Sequence, residues 1–153
     1  MTSSGRWLPL YQRDAIDSFI ALAKSKTPRA ASSTLAAQHT THEKLGRAEA
    51  LLRSARAFLY ESVRGFSAAP VGERIQEWSA ITRLAAAHAA QSAAEAVDIV
   101  FEAGGGTSIY TSSRLERCFR DVHVITHNIG VAPASNFEMV GQYLLGGPLK
   151  YRR

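Results

Sequence analysis

Several residues in this chain have types and spacings that can do chemistry. Gly104, Gly105 and Gly106 run into Thr107. Glycines let backbone N–H groups come close to a phosphate, and such a turn favours anions. The same run is also an ordinary helix stop, since glycine reaches the left-handed conformation that closes a helix. His123 and His127 stand four residues apart and share one face of any helix that holds them. Imidazole suits proton transfer because its pKa lies near neutrality, whereas a histidine at a helix end also has a structural use. The pair has the spacing to share a metal, but no glutamate follows His123 as in H-E-x-x-H and no third ligand is evident. His39 and His42 fall at a loop-to-helix junction and add nothing to it. No metal site is expected.

Other polar residues have plainer readings beside the chemical one. Glu116 with Arg120, and Arg117 with Asp121, are spaced as helix-supporting ion pairs. His88, Gln91, Ser92, Glu95 and Glu102 form a polar stripe that suits a pocket or interface, or more simply a helix side facing water and polar neighbours. Cys118 has apolar neighbours and reads as a packed small residue rather than a nucleophile. No Ser–His–Asp set or carboxylate pair has specific spacing.

These residues need helices to position them. Ile16, Phe19, Ile20 and Ala23 repeat at helical spacing and predict a helix from Leu10 to Lys24. Ser25 to Gln38, with Pro28, reads as a loop. Thr40 and Glu43 have capping-box spacing and mark the next start. The apolar stripe of that helix runs through Leu45, Leu52, Ala55, Leu59, Val63 and Phe66. A third helix is expected from Glu73 to Ala103, its stripe including Ile75, Trp78, Ala85, Ser92 and Ile99, before the glycines stop it. A fourth runs from Ser113 to His127, and a last from Ala134 to Leu145. Nothing between them reads as a strand. The fold class is all-α, an antiparallel up-and-down four-helix bundle with a broken last helix.

The totals bound the possibilities. At 153 residues the chain holds one ordinary domain and is short for a two-domain enzyme. One cysteine excludes an internal disulfide, and with no signal peptide in view a cytoplasmic setting follows. The alanine-rich run from Leu84 to Ala103 carries His88, Glu95, Asp98 and Glu102, which speaks against a membrane span. The net charge of +5 comes mainly from dispersed arginines. Arg47, Arg53, Arg56 and Arg64 are interleaved with Glu43, Glu49 and Glu61, so they read as a solvated, salt-bridged face and not a nucleic-acid track.

From Arg83 to Gly146 the order of three segments is more specific than periodicity. An alanine-rich helix ends in F-E-A-G-G-G-T, then comes L-E-R-C-F-R-D-V-H-V-I-T-H-N, and last M-V-G-Q-Y-L-L-G. This order resembles the C-terminal domain of the acyl-CoA dehydrogenase superfamily. It is most similar to the flavin-dependent monooxygenase branch, such as the two-component aromatic hydroxylases and dibenzothiophene monooxygenase. The likeness divides the chain into an N-terminal tail (1–9), the bundle (10–147) and a C-terminal tail (148–153).

The resemblance implies FAD or FMN as cofactor and a domain that assembles subunits and completes a flavin site. Gly105, Gly106 and Thr107 match the double-glycine turn that approaches a neighbouring subunit's flavin. Arg120 with Asp121 matches the family's arginine–aspartate pair, and His127 the histidine beside flavin and substrate. Two departures stand out. Glu102 replaces a glutamine common in the dehydrogenases, which leans towards the monooxygenase branch, and His127 precedes Asn128 where the branch has glutamine then histidine. No segment matches the family's N-terminal or middle β-domain, so the chain is expected to be inactive alone, with a separate chain as one source of those domains. A dimer or tetramer is expected. The alternative is a standalone oligomeric helical module that has lost flavin chemistry.

Overall fold

The computed structural model describes residues 4–29, 31–70 and 72–150. Five α-helices make up the described residues, with two short 3-10 turns and no strand. They are α1 (Ser4–Ser25), α2 (His39–Ala68), α3 (Glu73–Gly104), α4 (Arg114–Thr126) and α5 (Pro133–Leu144). The broken last helix of the sequence reading is the α4–α5 pair, interrupted by the turn around Asn128.

The longest helix, α3, is the spine. Its alanines Ala85, Ala87, Ala89, Ala90, Ala93 and Ala96 are fully or almost fully buried, which lets neighbouring helices approach closely. Along the half nearer its C-terminus it packs against α1, α2 and α4, and the main core gathers there around Ile16, Phe19, Val97, Val100, Leu115 and Val122. Burying a side chain such as Phe19 or Ile16 contributes roughly 1.5–3 kcal/mol. At the other end α5 adds a smaller core of Ala80, Met139 and Val140. Arg83 reaches over to Asn136 Oδ1 at 3.3 Å, while the Asn136 amide donates to the Ala132 carbonyl.

The structure departs most from the sequence reading at the starts of α1 and α2. Helix α1 begins at Ser4, not Leu10, so it continues through Pro9. Proline there removes one backbone donor, and intrinsic propensity is a weak guide against the rest of the helix. The loop before α2 contains a 3-10 turn at Leu35–Ala37 that buries Leu35. That turn delivers the chain to His39 two residues early, with Gln38 as N-cap and no side-chain capping bond, so the Thr40–Glu43 box is not used. The apolar stripe of α2 also outlasts its cover: Leu52 and Ala55 are buried, but Val63 and Phe66 are exposed, as is Ile75 at the start of α3.

The α2–α3 hairpin closes on one glycine. A Cβ on Gly65 would collide with the ring of Trp78, which lies against the α2 backbone. Only glycine permits that approach.

Candidate functional site

The glycine run sits where α3 ends and is held from two sides. Lys26, just past α1, donates from Nζ to the Gly104 carbonyl at 2.5 Å, placing a cation at the negative end of α3. A Cβ on Gly104 would collide with Ser108 Oγ and press on Leu115, so packing requires that glycine. Gly105 is required by its backbone, with φ +56. Gly106 is required by neither. It is exposed, its φ is not positive, and a Cβ there would meet nothing within 4 Å. Thr107 closes the short 3-10 turn, and exposed Ile109 and Tyr110 follow it.

From this turn α4 runs back along α3. Arg114 clamps Asp14 of α1, Phe119 stacks on Phe101 at 4.4 Å, and His123 Nε2 lies 2.8 Å from Asp98 Oδ1. The sequence-predicted ion pairs form, Arg117 to Asp121 at 3.7 Å and Arg120 to Glu116 at 3.6 Å. Both arginines face outward, so each pair contributes at most about 1 kcal/mol. The Asp98–His123 pair was not anticipated. Its signal lay in the polar stripe of His88, Gln91, Ser92, Glu95 and Glu102, whose helical register Asp98 shares at three residues from Glu95 and seven from Gln91.

His127 caps the far end of α4 and is exposed. Its Nδ1 donates to the His123 carbonyl at 2.8 Å. A proton on Nδ1 leaves Nε2 as the acceptor in the neutral ring. His123 and His127 therefore have different partners, and among the described residues no three His, Cys, Asp or Glu side chains gather to hold a metal. His42 Nε2 instead donates to the Ala36 carbonyl at 2.7 Å and secures the start of α2.

Among the candidate residues, the structure groups Gly105, Gly106 and Thr107 at one end of α4 and places His127 at the other. The length of α4 separates them by roughly 20 Å. Arg120 lies between, on the outer face. The polar stripe of α3 is more enclosed than a water-facing side. Ser92 is buried, its carbonyl accepts from Gln12 Nε2 at 3.4 Å, and Glu95 meets Arg47 at 3.0 Å. Glu102 remains in solvent with Lys44 at 3.9 Å. Burial pushes the Cys118 thiol up to about 11, which fits a packed side chain.

Residues 12–133 match the model of the acyl-CoA dehydrogenase C-terminal domain. The chain belongs to that family. The acyl-CoA dehydrogenase C-terminal domain here is also 34% identical, over 118 residues, to indole-3-acetate monooxygenase of Pseudomonas putida. That match covers 76% of this chain and 30% of the monooxygenase, so the domain corresponds to about a third of its curated relative. As an acyl-CoA dehydrogenase C-terminal domain it comes from a family that is generally flavin-dependent and oligomeric. Among its described residues no helix is long and apolar enough to cross a membrane.

Proposed function

We propose that this bundle forms one wall of a flavin site in a monooxygenase-like flavoprotein, and that it self-associates in doing so. The remaining walls come from the family's N-terminal and middle β-domains, on the same or a separate polypeptide. The observation that carries this reading is Gly106. Packing accounts for Gly104 and φ for Gly105, but nothing among the described residues needs Gly106 to lack a side chain. A group from outside that approaches the backbone closely would need it.

The residues at the turn suit an anionic cofactor such as FMN or FAD. Lys26 supplies a positive charge next to Gly105, with Nζ 3.6 Å from where a Cβ would sit. Glu102 opposes an anion, and Lys44 offsets part of that charge. A bound flavin would supply the redox chemistry. The protein's part at the turn is to admit the cofactor, and Arg120 offers a second cation farther along α4. His127 would hold or accept a proton at Nε2, since Nδ1 is engaged. The turn and His127 stand roughly 20 Å apart along α4. A reducing, cytoplasmic setting suits the single buried thiol.

The test is a titration of the purified protein with oxidised and dithionite-reduced FMN and FAD under anaerobic conditions. Saturable binding that Gly106→Val abolishes, with helix content unchanged, is the expected result. Gly106 is the informative position, because valine at Gly105 would strain the backbone whatever binds there. A second reading has its own observation: the Nδ1 bond gives His127 a helix-closing role that needs no chemistry. If no form of flavin binds, the standalone oligomeric module is the better account.

A further inference from the structure

We infer that Asp98 and His123 are positioning residues for His127. By pinning the last turn of α4 to α3, they hold in place the carbonyl that keeps the His127 proton on Nδ1 and leaves Nε2 to accept. The inference rests on the reading of His127 given above as a proton-holding group. Asp98 Oδ1 accepts from His123 Nε2 at 2.8 Å, so the His123 ring ties two helices together. Phe119 lies against that ring at 4.6 Å and stacks in turn on Phe101 of α3 at 4.4 Å. Asp98 makes no other ion pair among the described residues, whereas Glu95 and Glu102 of the same helix turn to Arg47 and Lys44 of α2.

The end of α4 needs such a tie. Its buried residues stop at Val122; beyond it Ile125 is only partly covered and Val124 faces solvent. A helix end with so little apolar cover opens at low cost. The backbone changes there as well. In a continued α-helix the His123 carbonyl would accept from the His127 N–H. Here that N–H turns to the Val124 carbonyl at 3.2 Å, a tightening common at helix ends. The His123 carbonyl is left to two side chains, Thr126 Oγ1 at 2.7 Å and His127 Nδ1 at 2.8 Å.

His123 therefore serves His127 with both of its ends: Asp98 fixes the ring, and the carbonyl takes the Nδ1 proton. Which nitrogen of a neutral histidine carries the proton is set by the hydrogen bonds its ring makes. A carbonyl can only accept, so His127 keeps this bond only with its proton on Nδ1, and Nε2 holds a lone pair. When the last turn opens, the carbonyl moves away and that preference goes with it. Neither the Asp98 carboxylate nor the His123 ring bonds to His127 itself, so both act through the turn.

Nitrogen NMR of the histidine rings tests this on the full labelled chain, without flavin, at mildly alkaline pH where free imidazole is neutral. Wild type, Asp98→Asn, Asp98→Ala and His123→Ala are compared, with helix content followed by circular dichroism. Wild-type His127 is expected in the Nδ1–H form and His123 in the Nε2–H form. Asp98 is 42% exposed, so its alanine variant opens no cavity in the core and should keep the fold. In both alanine variants the Nδ1–H form of His127 should fall from majority to minority. Asp98→Asn, which keeps an acceptor for His123, should retain it. A His127 that stays protonated on Nδ1 in either folded alanine variant overturns the proposal, because the bond within the helix end would then suffice alone. So does an asparagine variant no better than alanine, or a wild-type His127 protonated on Nε2. A failure here leaves the flavin titration as it stands, and an absence of flavin binding leaves the tautomer result intact.

Discussion

Cys118 and Ser108 are both fully buried, yet they differ in what surrounds them. Ser108 Oγ has no hydrogen-bond partner among the described residues, because it is packed against the backbone of Gly104. Leaving a hydroxyl in that state costs on the order of 1–3 kcal/mol, so close packing at the end of α3 must offset it. Cys118 is at home in its apolar setting. With its thiol pushed up to about 11 by burial, it carries almost no thiolate at neutral pH. It should therefore be inert to a thiol reagent such as dithionitrobenzoate in the folded protein and react stoichiometrically in denaturant. Prompt labelling of native protein would contradict this.

Between elements, the join of α1 to α2 is electrostatic as well as apolar. Glu49 accepts from Arg13 of α1 and from Arg53 one turn on in α2, both at 2.8 Å. Burial alone would raise the Glu49 carboxyl, but the two guanidiniums outweigh it and hold the carboxyl below its ordinary value. A carboxyl depressed in the folded state contributes stability that is present above its unfolded pKa and is lost as pH falls through the folded one. Glu49→Gln should cost roughly 1 kcal/mol at neutral pH. The difference from wild type should shrink as pH drops through the acid range, as read by urea melts from pH 7 down to pH 3. A gap that persists undiminished at the acid end would rule this out.

The elements themselves were largely legible in the sequence. Helical spacing and glycine or proline stops located α3, α4 and α5 to within a residue or so, because apolar period and chain stop fall together there. The start of α2 was not legible. Thr40 and Glu43 have the right spacing, but burial of Leu35 sets where the chain enters the helix, and that is a tertiary fact. The candidate site was legible only residue by residue. That Gly106 is the unconstrained glycine, and that His123 engages Asp98 while His127 turns back on its own helix, depends on three-dimensional neighbours.

Considered whole, the molecule is two unequal lobes on one spine. Helices α1 and α4 grip one end of α3 through the large core, whereas α5 holds the other through Ala80, Met139 and Val140. Opening free energies follow local burial. Amides of α5 should therefore exchange with solvent at a lower opening energy than those of α4 or the last turns of α3. Hydrogen exchange followed by mass spectrometry would show it, and equal protection in α4 and α5 would mean that the two lobes unfold as one.

The freedom at Gly106 has an evolutionary side. An alanine there would meet nothing among the described residues within 4 Å of its Cβ and would restrict the unfolded chain, a gain of about 0.4–1 kcal/mol. A selection for heat resistance alone would thus favour it. If the turn admits a flavin, that selection would trade activity for stability at a single methyl group.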